Sequence, residues 1–240
     1  MKRKLAIVAV LLCSALGLLA EDGVVSSSNN PLQVALLHWY PANQAQTVFQ
    51  AGGYPIATAF DGQSIWVANA GSNSNDIMKF RSSDGALLGT YAAGIEPSGI
   101  AFDGANIWVT NNWDNTVTKL LASTGAVLGT YNVGTYPWAL AFDGANIWVA
   151  NQGSNNVTKL LASTGAVLGT YSVGSSPEGI AFDGANIWVT NNGSDSVTKL
   201  LASTGAVLGT YSVGSRPEGI AFDGANIWVA NSSSATVSKL

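Results

Sequence analysis

Apolar and polar residues alternate along most of this chain in short runs broken by clusters of Gly, Asn, Ser and Asp. Between 134 and 173, Ala139 to Phe142 is followed by Asp143-Gly144, Asn146 to Ala150 by the polar loop Asn151 to Asn155, Val157 to Leu161 by Ser163-Thr164-Gly165, and Val167 to Val173 completes the unit. β-Branched and aromatic residues fill the runs and turn formers fill the gaps, which predicts four short strands. No stretch carries a helical period over ten residues, so a helical solenoid is excluded, and a parallel β-helix needs a shorter coil.

The unit repeats. AFDGANIWV begins at 101, 141, 181 and 221, a spacing of 40, and the degenerate copy AFDGQSIWV begins at 59. A four-stranded sheet cannot bury both faces alone, and stacking such sheets radially leaves only short, protected edges. The expectation is an all-β β-propeller of four-stranded antiparallel blades, about five in this chain, with repeats near 56–97, 98–137, 138–177, 178–217 and 218–240 plus 34–55. Setting Pro55 against Pro137 places Val48-Phe49 on Thr130-Tyr131, so N- and C-terminal strands are expected to share and close one blade. One strand is then left over, because the C-terminal piece runs on through Thr236 to Leu240. Trp66, Trp108, Trp148, Trp188 and Trp228 recur at one position of the second strand; buried between blades, each contributes about 2–3 kcal/mol.

The phrase Ile-Trp-Val-Thr-Asn at 107–111 and 187–191, followed by Val-Thr-Lys-Leu and Val-Gly-x-x-Pro, resembles the YVTN-repeat β-propeller family, related to virginiamycin B lyase-like and NHL-type propellers. The match covers 34–240. What it implies is a secreted or surface scaffold; the lyase-like relatives add the alternative of an enzyme that uses a histidine with acidic residues near the channel.

Residues 1–20 pair a basic start (Lys2, Arg3, Lys4) with an apolar run and small residues at Ala15, Gly17 and Ala20, the pattern of a signal peptide cut near Gly17 or Ala20. An uncleaved anchor and a lipid on Cys13 are the alternatives. Residues 21–33 read as a linker and 34–240 as the propeller domain, exported to the periplasm, cell surface or medium. Cys13 is the only cysteine, so the mature protein has neither disulfide nor cysteine-ligated zinc. Loss of the leader leaves seven basic against fourteen acidic groups, a net charge of −7. Such a surface argues against nucleic acid and anionic lipid as partners. A monomer with no membrane association beyond the leader is expected.

Comparison of the repeats with one another locates the candidate site. Among the copies starting at 101, 141, 181 and 221 the turn FDGAN does not change, nor does ASTGA wherever it is present, whereas the second-to-third loops read NNWDNT, NQGSNN, NNGSDS and NSSSAT, and the fourth-to-first loops GTYPWAL, GSSPEGI and GSRPEGI. In an antiparallel meander both variable loops share one end, which marks a recognition surface on a rigid scaffold. The residues before the loop prolines are Tyr54, Glu96, Tyr136, Ser176 and Arg216; those after are Ile56, Ser98, Trp138, Glu178 and Glu218. With Trp113 and Asp114, they predict a funnel with an aromatic half and an acidic half, to which Asp76 and Asp195 add charge. The candidate ligand-binding set is Tyr54, Glu96, Trp113, Asp114, Tyr136, Trp138, Glu178, Arg216 and Glu218, taking a protein, peptide or carbohydrate.

The chemistry on offer is sparse. His38, the one histidine, falls in the N-terminal outer strand and lies far from the channel in this reading. Glu178 and Glu218 occupy equivalent places on adjacent blades, so a carboxylate pair for a lyase or hydrolase, or for a divalent cation, is the alternative to two glutamates lining a wet channel. The Asp-Gly pairs at 61, 103, 143, 183 and 223 lack the other ligands of a calcium loop and read as turns. Lys119, Lys159, Lys199 and Lys239 read as one exposed strand position. No catalytic residue, metal ligand or cofactor is assigned.

Overall fold

The computed structural model describes residues 48–71 and 75–240. The leader, the linker, His38 and the segment 34–47 lie outside the described residues. Phe49–Leu240 forms one compact unit.

Its strands follow the predicted punctuation. Blade 1 holds β1 (Pro55–Phe60), β2 (Ser64–Asn69), β3 (Asp76–Arg81) and β4 (Leu87–Ala92); blade 2 holds β5 (Pro97–Phe102), β6 (Asn106–Asn111), β7 (Thr116–Leu121) and β8 (Val127–Asn132). Blade 3 holds β9 (Pro137–Phe142), β10 (Asn146–Asn151), β11 (Asn156–Leu161) and β12 (Val167–Ser172); blade 4 holds β13 (Pro177–Phe182), β14 (Asn186–Asn191), β15 (Ser196–Leu201) and β16 (Val207–Ser212). Blade 5 holds β17 (Pro217–Phe222), β18 (Ile227–Asn231) and β19 (Thr236–Lys239). Four sheets are four-stranded antiparallel meanders and the fifth has three strands. The first strands pack on one another in the order β1, β5, β9, β13, β17; among the described residues no comparable packing leads from β17 back to β1.

Each junction between blades is a small hydrophobic core. Trp108 and Val117 of blade 2 meet Ile147, Val149, Leu160 and Ala162 of blade 3, and the same positions meet at the other junctions. Trp66, Trp108 and Trp148 are fully buried, whereas Trp228 in blade 5, whose outer face no other blade covers among the described residues, is 41% exposed. Tyr131 tilts against Trp108 with ring centroids 5.6 Å apart, as Tyr91 does against Trp66 at 5.4 Å. A Cβ at Gly125 would run into the Tyr91 ring, and one at Gly85 into Phe49, so Phe49 presents to blade 1 the ring that Tyr91 presents to blade 2.

The lysines correct the sequence reading. Lys119 and Lys159 are 5% exposed, because their stems cross the preceding tryptophan and their ammonium groups reach the next blade. Lys119 Nζ sits 5.1 Å from the Trp108 ring centroid and donates to the carbonyls of Ala162 (2.7 Å) and Ser163 (3.3 Å). Lys159 does the same with Trp148, Ala202 and Ser203, and Lys79 reaches Ala122. A cation held over a ring and bonded to two carbonyls is compensated for its burial. Lys199 and Lys239 keep the ring contact, at 4.6 and 5.5 Å, without a carbonyl acceptor among the described residues. Only Lys239 matches the exposed position expected for the set.

Candidate functional site

The register places both variable loops at one rim. In blade 3, Pro137 pairs with Asn151, Asn151 with Asn156, and Asn156 with Ser172, so the start of the first strand, the second-to-third loop and the end of the fourth strand lie together. The opposite rim carries the invariant turns. There Asp143 Oδ1 accepts from the N–H groups of Ala145 and Asn146, and Oδ2 accepts from Trp148 Nε1 at 2.8 Å. The Asp-Gly pairs are therefore turn residues, as expected, and each also anchors the core indole of its own blade. Burial would raise the Asp143 carboxyl, but the donations from Trp148, Asn146 and two backbone N–H groups win and hold it below the usual range.

The variable rim is built from left-handed turns. Tyr54, Glu96, Tyr136, Ser176 and Arg216 all have φ between 50° and 55°. Non-glycine residues adopt this conformation at a cost of about 1–2 kcal/mol, so something must hold it. The carbonyl of each accepts from the residue just after the second strand, as Tyr136 does from Gln152 N at 2.9 Å. The N–H of each of the last four donates to a side chain of the preceding blade: Glu96 to Asn75, Tyr136 to Asn115, Ser176 to Asn155 and Arg216 to Asp195, at 2.8–3.0 Å. The backbone is thus held by another residue's side chain, which leaves the turn's own side chain free to vary.

Two cavities open at this rim. One, of about 280 Å³, is lined by Ala70, Asn75, Ile95, Glu96 and Trp113. The other, of about 420 Å³, is lined by Trp138, Ala139, Glu178, Gly179, Glu218 and Gly219, at the starts of β9, β13 and β17. Of the candidate residues, Trp138, Glu178 and Glu218 come together in the larger cavity and Glu96 and Trp113 in the smaller. Tyr136 stands edge-on to Trp113 at 6.0 Å. Tyr54 is 71% exposed and lines neither cavity. Arg216 is exposed and acts on the larger cavity through its charge, which favours ionised Glu178.

Three details of the funnel are corrected. Aromatic and acidic residues do not segregate into halves, since each cavity combines a tryptophan with glutamate. Ser98 does not face a mouth: it is 5% exposed and its hydroxyl is spent on Thr110 and on the Pro137 and Trp138 carbonyls. Asp114, Asp76 and Asp195 are committed locally, to Ile95 N (2.6 Å), Asn69 Nδ2 (2.7 Å) and Arg216 N (2.9 Å) respectively. Short polar side chains beside a turn bond the nearest unpaired backbone group before they reach a ligand.

Glu178 is the most organised group of the larger cavity. Gln152 Nε2 donates to Oε1 at 2.7 Å and Asn192 Nδ2 to Oε2 at 3.2 Å. Burial raises its pKa, Glu218 adds to the rise, and the two amides and Arg216 offset part of it. Burial also raises Glu96. Ser232 Oγ donates to Glu218 Oε1 at 2.8 Å. The sequence reading missed these orienting residues, although Gln152 and Ser232 are visible as the departures from asparagine in the set Asn112, Gln152, Asn192 and Ser232. Two carboxylates beside an indole accept hydrogen bonds and attract cations. Among the described residues no three or more His, Cys, Asp or Glu side chains converge on a metal position.

The chain is an all-β, propeller-like repeat protein. No protein-family model and no curated protein sequence matches it. Solved structures do match in fold. The chain superposes on Kuenenia stuttgartiensis hydrazine synthase with a TM-score of 0.67 at 20% identity, over 78% of this chain and 58% of that one. A functionally unknown protein from Desulfotomaculum acetoxidans gives 0.67 at 14% identity, over 80% and 70%. A catalytically inactive histidine-to-alanine variant of Staphylococcus aureus virginiamycin B lyase, solved with quinupristin, gives 0.68 at 18% identity, over 80% and 68%. This chain therefore spans little more than half the length of the hydrazine synthase chain it matches. At these identities the likeness concerns the fold.

Proposed function

We propose that this protein is an exported, monomeric, non-enzymatic β-propeller scaffold of the YVTN-repeat type that binds a protein, peptide or carbohydrate through its variable rim. The observation that carries the reading is the coincidence of two features: the rim where repeats diverge also holds two cavities, and Trp138, Glu178 and Glu218, from three successive blades, line the larger of the two. Aromatic rings with oriented carboxylates recognise sugars and peptide side chains by stacking and hydrogen bonding. Export rests on the leader pattern of residues 1–20, and the net charge of −7 disfavours nucleic acid and anionic membrane. The three-stranded sheet of blade 5 leaves room at β19 for an outer strand, and in this proposal the segment from residue 34 up to the start of β1 supplies it and closes the blade.

The test uses the mature protein on glycan and peptide arrays, with binders quantified in solution. The triple variant Trp138→Ala, Glu178→Ala, Glu218→Ala should lose at least tenfold in affinity, and undiminished binding would discard the site. A second reading, a lyase or hydrolase with or without a divalent cation, is favoured only by the raised proton affinity of Glu178 beside Glu218. Any turnover found should fall in the Glu178→Gln, Glu218→Gln double variant.

A further inference from the structure

The penultimate position of the second strand alternates between alanine and threonine: Ala68, Thr110, Ala150, Thr190, Ala230. The first-strand residue lying beside it is Ala57, Gly99, Ala139, Gly179 and Gly219. Threonine occurs only where that neighbour is glycine. The cause is geometric: a Cβ at Gly99 would press on the Trp138 carbonyl and on Thr110 Oγ1, and one at Gly179 on the Glu218 carbonyl and Thr190 Oγ1.

The space so kept is used by the hydroxyl. Thr110 Oγ1 accepts from Gly99 N at 2.6 Å and donates across the junction to the Trp138 carbonyl at 3.0 Å. Thr190 Oγ1 accepts from Gly179 N at 2.7 Å and donates to the Glu218 carbonyl at 3.0 Å. Ser98 Oγ reinforces the first link, lying 2.9 Å from Thr110 Oγ1 and 3.0 Å from the Trp138 carbonyl. The junction from blade 3 to blade 4 has Ala150 and no hydroxyl, and there Glu178 is fixed through its carboxylate by Gln152 and Asn192.

Building on the binding reading above, we infer that Thr110 and Thr190 are positioning residues for the larger cavity. Each clamps the main chain of a wall residue on the next blade, so the Trp138 ring and the Glu218 carboxylate stand at a set separation with Glu178 between them. A β-branched side chain has one stiff χ1, and a hydroxyl that both accepts and donates has no freedom left to rotate. Preorganisation of this kind lowers the ordering cost of binding without touching the ligand.

The experiment needs no ligand, so its failure is distinct from failure of the binding reading. The full chain is labelled with 5-fluorotryptophan, and the Trp138 line in the 19F spectrum is identified by its loss in Trp138→Phe. Thr110→Ala restores the residue that three other blades carry, and Thr110→Val keeps the shape while removing the hydroxyl. In both, the Trp138 line should shift and broaden while those of Trp188 and Trp228 stay in place, and Thr110→Ser should return it. In parallel, Thr190→Ala should speed exchange of the Gly179 amide about tenfold and leave that of Gly99 unchanged. A Trp138 line unmoved in the Ala and Val variants, or a shift of all tryptophan lines together, overturns the assignment. The first outcome would show no clamp and the second a general scaffold role.

Discussion

The two rims of each blade are held by the same kind of bond, a side-chain oxygen accepting backbone N–H groups, yet one is invariant and the other diverse. At the invariant rim the accepting residue is also the anchor of the core: Asp143 closes its turn and binds Trp148, which fills the junction. At the variable rim the accepting residue belongs to the preceding blade, as Asn115 does for Tyr136, and the residue in the left-handed turn bonds only through its main chain. Repeats therefore tolerate change where support comes from elsewhere, and that is where a binding surface can be written without disturbing the fold.

The comparison breaks if substitutions at the two rims cost alike. The largest effect should be Trp148→Ala, which empties a fully buried site and should cost about 3–5 kcal/mol in urea unfolding. Tyr136→Ala, on the variable rim, should stay within about 0.5 kcal/mol. Next comes a collective pH effect. Asp183 has its pKa lowered from 3.8 to about 2, with burial opposing and Trp188, Asn186 and backbone donations prevailing. An acid with a depressed folded-state pKa gives stability that is present above its unfolded value and lost as pH falls through its folded one. Unfolding midpoints should thus hold steady down to about pH 4 and drop toward pH 2. Glu178 runs the other way: its pKa is raised, so a cationic group bound in the proposed site should be released as pH falls, at higher pH than the fold is harmed. Binding and stability measured on one pH series would separate the two rims.

A smaller contrast lies between interior and terminal blades. Lys119→Ala leaves the Ala162 and Ser163 carbonyls without their donor and should cost about 2 kcal/mol, whereas Lys239→Ala should be neutral in the same assay. Smallest of all, Asn115→Ala removes one support of the Tyr136 turn and should cost about 1 kcal/mol, with Tyr136→Gly in that background recovering part of it, since glycine accepts positive φ without penalty.

The strands were legible because turn formers bracket them: the run expected at Ala139 to Phe142 is the strand Pro137–Phe142, and Val167 to Val173 is Val167–Ser172. The sharing of one rim by the variable loops was also legible, since it follows from antiparallel order alone. The burial of Lys119 was not, because a lysine every forty residues looks like a solvated position until the next blade's turn is seen to cover it. Nor was the commitment of Asp114 or Ser98, whose partners lie 19 and 39 residues away in sequence. Glu178 and Trp138 stand out as candidates from their places beside loop prolines, but Gln152, Thr110 and Thr190 look like ordinary strand-end residues until the neighbouring blade is in view.

Trp228 marks where the molecule should come apart once the neighbour proposed for blade 5 is taken away. With near-identical contacts at every junction, stability along the series is a sum of nearly equal steps, and among the described residues the Trp228 face of blade 5 is the one that meets solvent. In a variant lacking residues 34–47, part of the segment that the proposed closure assigns to blade 5, thermal opening or mechanical pulling should proceed as fraying from blade 5 inward, one forty-residue length at a time, with amide protection climbing toward blades 2 and 3.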